Sequence, residues 1–191
     1  MTGTPLDKLK GMFSQGESNT EMTPEKFRQA LDGALSESPT GNHLLRVAAQ
    51  QKIAVVILTA KGVSGYIPEN RAVYISLPPN LSTVPEESVL ELGGYLRQAE
   101  LQLLGHKNPT NSMGSHDYTV AFDSKIIDSL AVMCKITSEL YEKGQTNFLD
   151  ALVRMGHGEL YETYRKYGQG AELVQTYYNI VQKTVTKKER D

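Results

Sequence analysis

Four histidines, His43, His106, His116 and His157, and a spread of carboxylates are the groups in this chain that could hold a metal ion or move protons. No two of the histidines stand four residues apart, the spacing by which one helix face grips zinc. The acids and histidines nearest one another past the middle of the chain are Glu100, His106, His116, Asp117, Asp123 and Asp128. If Glu100, His106, His116 and Asp128 converged in the fold, they would make a zinc site able to activate water for hydrolysis. The blander reading is that His106 and His116 are solvated loop histidines and that Asp128 hydrogen-bonds within a helix pair. Cys134 is the single cysteine, which excludes an intrachain disulfide and a cysteine-based zinc site. Its neighbours Met133 and Ile136 place it in an apolar helical run, where a thiol is buried and inert. Gly62-x-x-Gly65 lacks the Gly-Lys-Ser/Thr of a phosphate-binding loop, and no Gly-x-Ser-x-Gly elbow occurs.

The elements that must position these groups can be read from periodicity and punctuation. Residues 1–22 are rich in Gly, Ser, Thr and Asn and predict a mobile arm ahead of a single domain over 23–186, with a charged tail at 187–191. Thr23-Pro24-Glu25 reads as a helix start, with a hydroxyl cap, a first-turn proline and an acid at the positive dipole end. That helix carries Phe27, Ala30, Leu31 and Ala34 inward and stops near Pro39-Thr40-Gly41. A second, over about 42–51, buries Leu44, Leu45, Val47 and Ala48. The run from Ile53 to Ala60 is β-branched and apolar and predicts a buried strand. Two shorter strands, at Tyr66-Ile67 and Val73-Ile75, flank a turn at 68–71. The fold class is therefore α+β and helix-dominated, with a small antiparallel sheet packed on a helix over 86–104. Further helices follow at 117–143, 146–155, 158–167 and 170–186. The first of these carries Ile126, Leu130, Met133, Thr137 and Leu140 as one stripe, and the last buries Leu173, Val174, Tyr177, Val181 and Val185.

Within 86–104, Val89, Leu92, Leu96, Ala99 and Leu103 form a core-facing stripe that Gly93-Gly94 interrupts. Each mid-helix glycine costs about 1 kcal/mol relative to alanine, so an adjacent pair invites a reason. One reason is close approach of another backbone; another is the loss of larger side chains from those positions. The segment GYIPENRAVYISL, a connector, and then LGGYLRQAELQLLGH resemble a family of bacterial metallopeptidase domains with a minimal zincin-like fold. In that family a Gly-Tyr-containing strand pair leads into a helix bearing His-Glu-x-Arg-His-Ala, and Arg97 and Ala99 fit its register. A later helix of the form Glu-Ala-Asp-Ala precedes Glu-Leu-x-Glu-x-Gly, matched here by Asp128 and by Glu139, Leu140, Glu142 and Gly144. The resemblance covers about 53–144.

The resemblance implies that Gly94 and Gln98 stand where the two zinc histidines belong, Tyr95 where the catalytic glutamate belongs, and Ile126 where the third ligand belongs. Gly94 and Ile126 carry no ligand atom, Tyr95 is a poor base near neutral pH, and Gln98 is at best a weak donor. The expectation is a pseudo-peptidase in which Gly94 and Gln98 face a shallow pocket beside Ile126, with Tyr95 and Arg97 at its rim and Asp128 close by.

A formal net charge of −2 over 191 residues gives no electrostatic footprint for nucleic acid or an anionic membrane. The longest apolar run near the middle, Ile53 to Leu58, is too short to span a bilayer, and no signal peptide is recognisable, so the expected location is cytoplasmic. Three function classes follow. One is a cofactor-free module that binds a protein, a peptide, a small ligand or a second copy of itself, the last through the tyrosine-rich segment Tyr161, Tyr164, Tyr167, Tyr177 and Tyr178. The second is a zinc-dependent hydrolase rebuilt around Glu100, His106, His116 and Asp128. The third is a purely structural subunit with a filled cleft.

Overall fold

The computed structural model describes residues 22–59, 62–106 and 113–188, with side chains described up to 184. The predicted arm at 1–22 lies outside these apart from Met22, which packs against the core. Of the predicted tail at 187–191, positions 187 and 188 end the last helix and the others lie outside.

Thr23 caps helix α1 (Pro24–Ser36), its side chain accepting the Lys26 N–H. Pro39-Thr40-Gly41, read from the sequence as a break, instead starts helix α2 (Pro39–Gln50): proline suits the first helical position, and Ser38 caps it by accepting the Gly41 N–H at 3.0 Å. Glu139 reaches this same helix start from across the fold. Its carboxylate accepts the Ser38 hydroxyl at 2.5 Å, the Thr40 N–H at 2.9 Å and the Thr40 hydroxyl at 2.6 Å. A negative group is stabilising at the positive end of a helix, so Glu139 pins α2 to its own helix.

Strands β1 (Ala54–Leu58), β2 (Gly65–Ile67) and β3 (Ala72–Ser76) form a sheet in the order β1-β3-β2. The expected antiparallel pairing holds for β2 and β3, but β1 runs parallel to β3. The reason is the turn at Pro68–Asn70, with Arg71 left-handed at φ 49°, which folds β2 directly back along one side of β3. Only the other edge of β3 is left for β1. As an edge strand β1 is partly exposed rather than buried, whereas Ala72, Val73 and Ile75 of central β3 are buried.

Helix α3 (Glu86–Leu103) is the axis of the molecule, in contact with α1, α2, β2, β3 and the two helices that follow it. Its buried residues, from Ser88 through Leu90, Gly93 and Gly94 to Leu101, go well beyond one stripe, as befits a helix covered on several sides. Leu103, assigned to that stripe from the sequence, is exposed at the helix end. Helix α4 (Ser115–Tyr141) packs along α3, and α5 (Asn147–Arg154), α6 (Gly158–Tyr167) and α7 (Ala171–Lys188) complete the fold. The architecture is α+β and helix-dominated. On α7, Leu173 is buried but Val174 and Val181 are exposed, because the helix packs mainly on α6 along one narrow face. The Val185 side chain lies outside those described.

Candidate functional site

Between α3 and α4, closed at one side by the α5–α6 corner, lies a cavity of about 300 Å³. Gly94, Tyr95 and Gln98 of α3 and Ile126 of α4 all line it, so the four positions singled out from the sequence meet at one place. The spacing explains the α3 contribution: Glu91, Gly94, Tyr95 and Gln98 stand at i, i+3, i+4 and i+7 and share a helix face. The remaining wall is Ser129, Leu130 and Met133 of α4, with Met155 and His157 from the α5–α6 corner.

The two glycines have different jobs. A Cβ on Gly93 would stand 2.6 Å from Ile136 Cδ1, so this position lets the α4 side chains press against α3. A Cβ on Gly94 would meet Met133 Sδ at 3.2 Å, beside the cavity. In both cases the neighbour is a side chain, not the backbone anticipated from the sequence.

The electrostatics of the cavity centre on Glu91 and His157, neither of which was singled out as a site from the sequence. Burial, and then repulsion from Glu87, push the Glu91 carboxyl above its usual value of 4.5. Burial pushes His157 below 6.5, which favours a neutral imidazole. Burial and then the Glu91 charge raise the Tyr95 phenol, keeping it a neutral donor. None of the ion pairs among the described residues involves Glu91: Arg97 goes to Glu100 and Asp128, and Arg154 goes to Glu86 and Glu87. Glu91 could have been found in the sequence from its place one turn before Gly94. His157 had no such signal, since only the packing of the α5–α6 corner brings it near.

Arg97 and Asp128, expected at the pocket, are not among its lining residues. Arg97 Nε donates to Asp128 Oδ2 at 2.5 Å and its Nη1 donates to Glu100 Oε2 at 2.6 Å. Gln169 donates to Asp128 Oδ1 at 2.8 Å, and His43 Nε2 lies 2.7 Å from Glu100 Oε1. One guanidinium thus ties α2, α3, α4 and the α6–α7 link together. Arg97 stands at i+6 from Glu91, about 120° round the helix from it and off the face that Glu91, Gly94, Tyr95 and Gln98 share.

The alternative metal set is not assembled. Glu100 and Asp128 converge on Arg97, a cation that already answers their charge. His106 is exposed and its N–H closes the end of α3 on the Leu101 carbonyl; His116 is exposed in the first turn of α4. Among the described residues no group of three or more His, Cys, Asp or Glu side chains is arranged to hold a metal ion. Cys134 is fully buried and its thiol is pushed up to about 12 by burial, which removes it as a nucleophile.

A larger groove of about 880 Å³ lies at the end of the sheet; among the described residues that line it, Met22, Thr23, Leu77 and Pro78 included, there is no charged or titratable side chain. Among the described residues no helix is long and apolar enough to cross a membrane. No family model, no curated protein and no solved structure matches this chain.

Proposed function

We propose that this chain is a peptidase-like domain without peptidase chemistry, and that the space where a zinc site would stand serves as a binding pocket for a protein or peptide segment. The observation that carries this reading is the meeting of Gly94, Tyr95, Gln98 and Ile126 around one cavity. These residues lie on two different helices, and they are the ones that the family resemblance would align with zinc ligands and a general base. A glycine, a tyrosine, an amide and an isoleucine cannot reproduce a zinc-bound water, but they form a concave, largely apolar surface with a few directed polar groups, the usual make-up of a binding pocket.

The test is a peptide array probed with the wild-type chain and with Gly94→Leu, whose added side chain would grow from the cavity wall. Peptides retained by the wild type and lost by the folded variant are the expected result. Retention that is indifferent to the filled cavity, or no retention at all, would overturn the reading.

A further inference from the structure

We infer that the cavity between α3 and α4 recognises a basic side chain, lysine or arginine, on the peptide it binds. This deepens the binding-module reading and rests on it. Three features of the wall converge on such a ligand. First, Glu91 lines the cavity and is half-buried, and no ion pair among the described residues involves it. A partly desolvated carboxylate without a counter-ion is costly and is relieved by an incoming cation with hydrogen-bond donors. Second, Ile126, Leu130, Met133 and Met155 offer an apolar channel suited to the methylene stem that lysine and arginine carry behind the charge. The methionine thioethers are soft and adaptable, and so accommodate a flexible stem. Third, Tyr95 and Gln98 line the same cavity, and a tyrosine ring attracts cations while an amide oxygen accepts from them.

His157 does not oppose this occupant, because burial holds its imidazole toward the neutral form. The volume, about 300 Å³, sits at the lower limit of small-molecule pockets and suits one long side chain better than a cofactor. An acidic side chain would face repulsion from Glu91, and a purely aliphatic one would leave that carboxylate desolvated and unanswered.

The experiment uses the full chain with ¹³C-labelled methionine methyl groups and four acetylated, amidated peptides differing only in a central lysine, arginine, norleucine or glutamate. The lysine or arginine peptide is expected to shift the Met133 and Met155 methyl signals saturably, with the norleucine peptide weaker by roughly tenfold or more. Glu91→Gln should abolish most of that preference, weakening the lysine and arginine peptides and, with no carboxylate left desolvated, holding the norleucine peptide no less tightly than the wild type does. Equal binding of the lysine, arginine and norleucine peptides would overturn the basic-side-chain inference and leave the binding-module reading standing. Silence from all four peptides would overturn the inference as well, and the array with Gly94→Leu then decides the broader reading separately.

Discussion

Glu91 and His157 show what a cavity does to single residues. Their shifts oppose each other in sign. Glu91 has a folded pKa above its usual 4.5, so the folded chain binds more protons across that interval and its stability falls as pH rises through it. His157 has a folded pKa below 6.5; its contribution is complete above 6.5 and is lost as pH falls toward and below the folded value. Glu91→Gln is therefore expected to raise the melting temperature at neutral pH, by an amount equivalent to less than about 1 kcal/mol because solvent still reaches the carboxylate. The gain should shrink to nothing as pH drops below 4.5, where glutamate and glutamine are both neutral. Thermal melts over a pH series check this, and a variant less stable than wild type at neutral pH would show that Glu91 has a favourable partner. A residue that weakens the free protein and improves when removed is the usual mark of a group kept for binding. Glu91 was legible in principle from its helical spacing to Gly94. His157 was not, because a lone histidine after Gly156 carries no periodic signal and its place depends on how α5 and α6 meet.

At the scale of elements, the helices were readable because their caps and periodicity are local. Thr23-Pro24 starts α1, Glu86 and Glu87 sit in the first turn of α3, and Gly144 lies just past α4 with φ at 85°. The strand pairing was less readable: β1 joins the far edge of β3 only because the 68–71 turn commits β2 to the near one. The run Ile53 to Ala60 looked like a buried strand, since an edge strand that is half covered and a central strand have similar composition. The adjacent glycines in α3 flagged crowding, but by side chains rather than the backbone anticipated, and periodicity could not separate their roles. Gly93→Ala drives a methyl against Ile136 Cδ1, with Leu35 Cδ1 only 3.5 Å away on the other side. Overpacking of this kind costs about 1–3 kcal/mol, against about 1 kcal/mol gained in helix propensity. Gly94→Ala is closest to the flexible Met133 side chain, at 3.2 Å from Sδ, with Ser129 Cβ at an ordinary 3.8 Å, and keeps that gain. Denaturant unfolding is expected to rank Gly94→Ala at or above wild type and Gly93→Ala below Gly94→Ala; equal stabilities would contradict the packing described for α3 and α4.

For the whole molecule, the arrangement separates holding from binding. One face of α3 carries Arg97, bonded to Asp128 of α4, and Glu100, bonded to His43 of α2, which fasten α3 to its neighbours, while the face with Glu91, Tyr95 and Gln98 is left to the cavity. The tyrosine-rich C-terminal segment divides in the same way: Tyr161 is buried, whereas Tyr167 and Tyr178 reach the surface. The meeting of Gly94, Tyr95, Gln98 and Ile126 at one cavity was anticipated from the sequence; its charge was not, because Glu91 and His157 had no role in the pattern that singled those four out. The proposed lack of peptidase chemistry is open to direct challenge. Elemental mass spectrometry on the untagged protein, equilibrated with zinc and then dialysed, should find far less than one zinc per chain. One tightly held zinc per chain, lost on Glu91→Gln or on Glu100→Gln, would contradict the pseudo-peptidase reading and return the chain to the hydrolases.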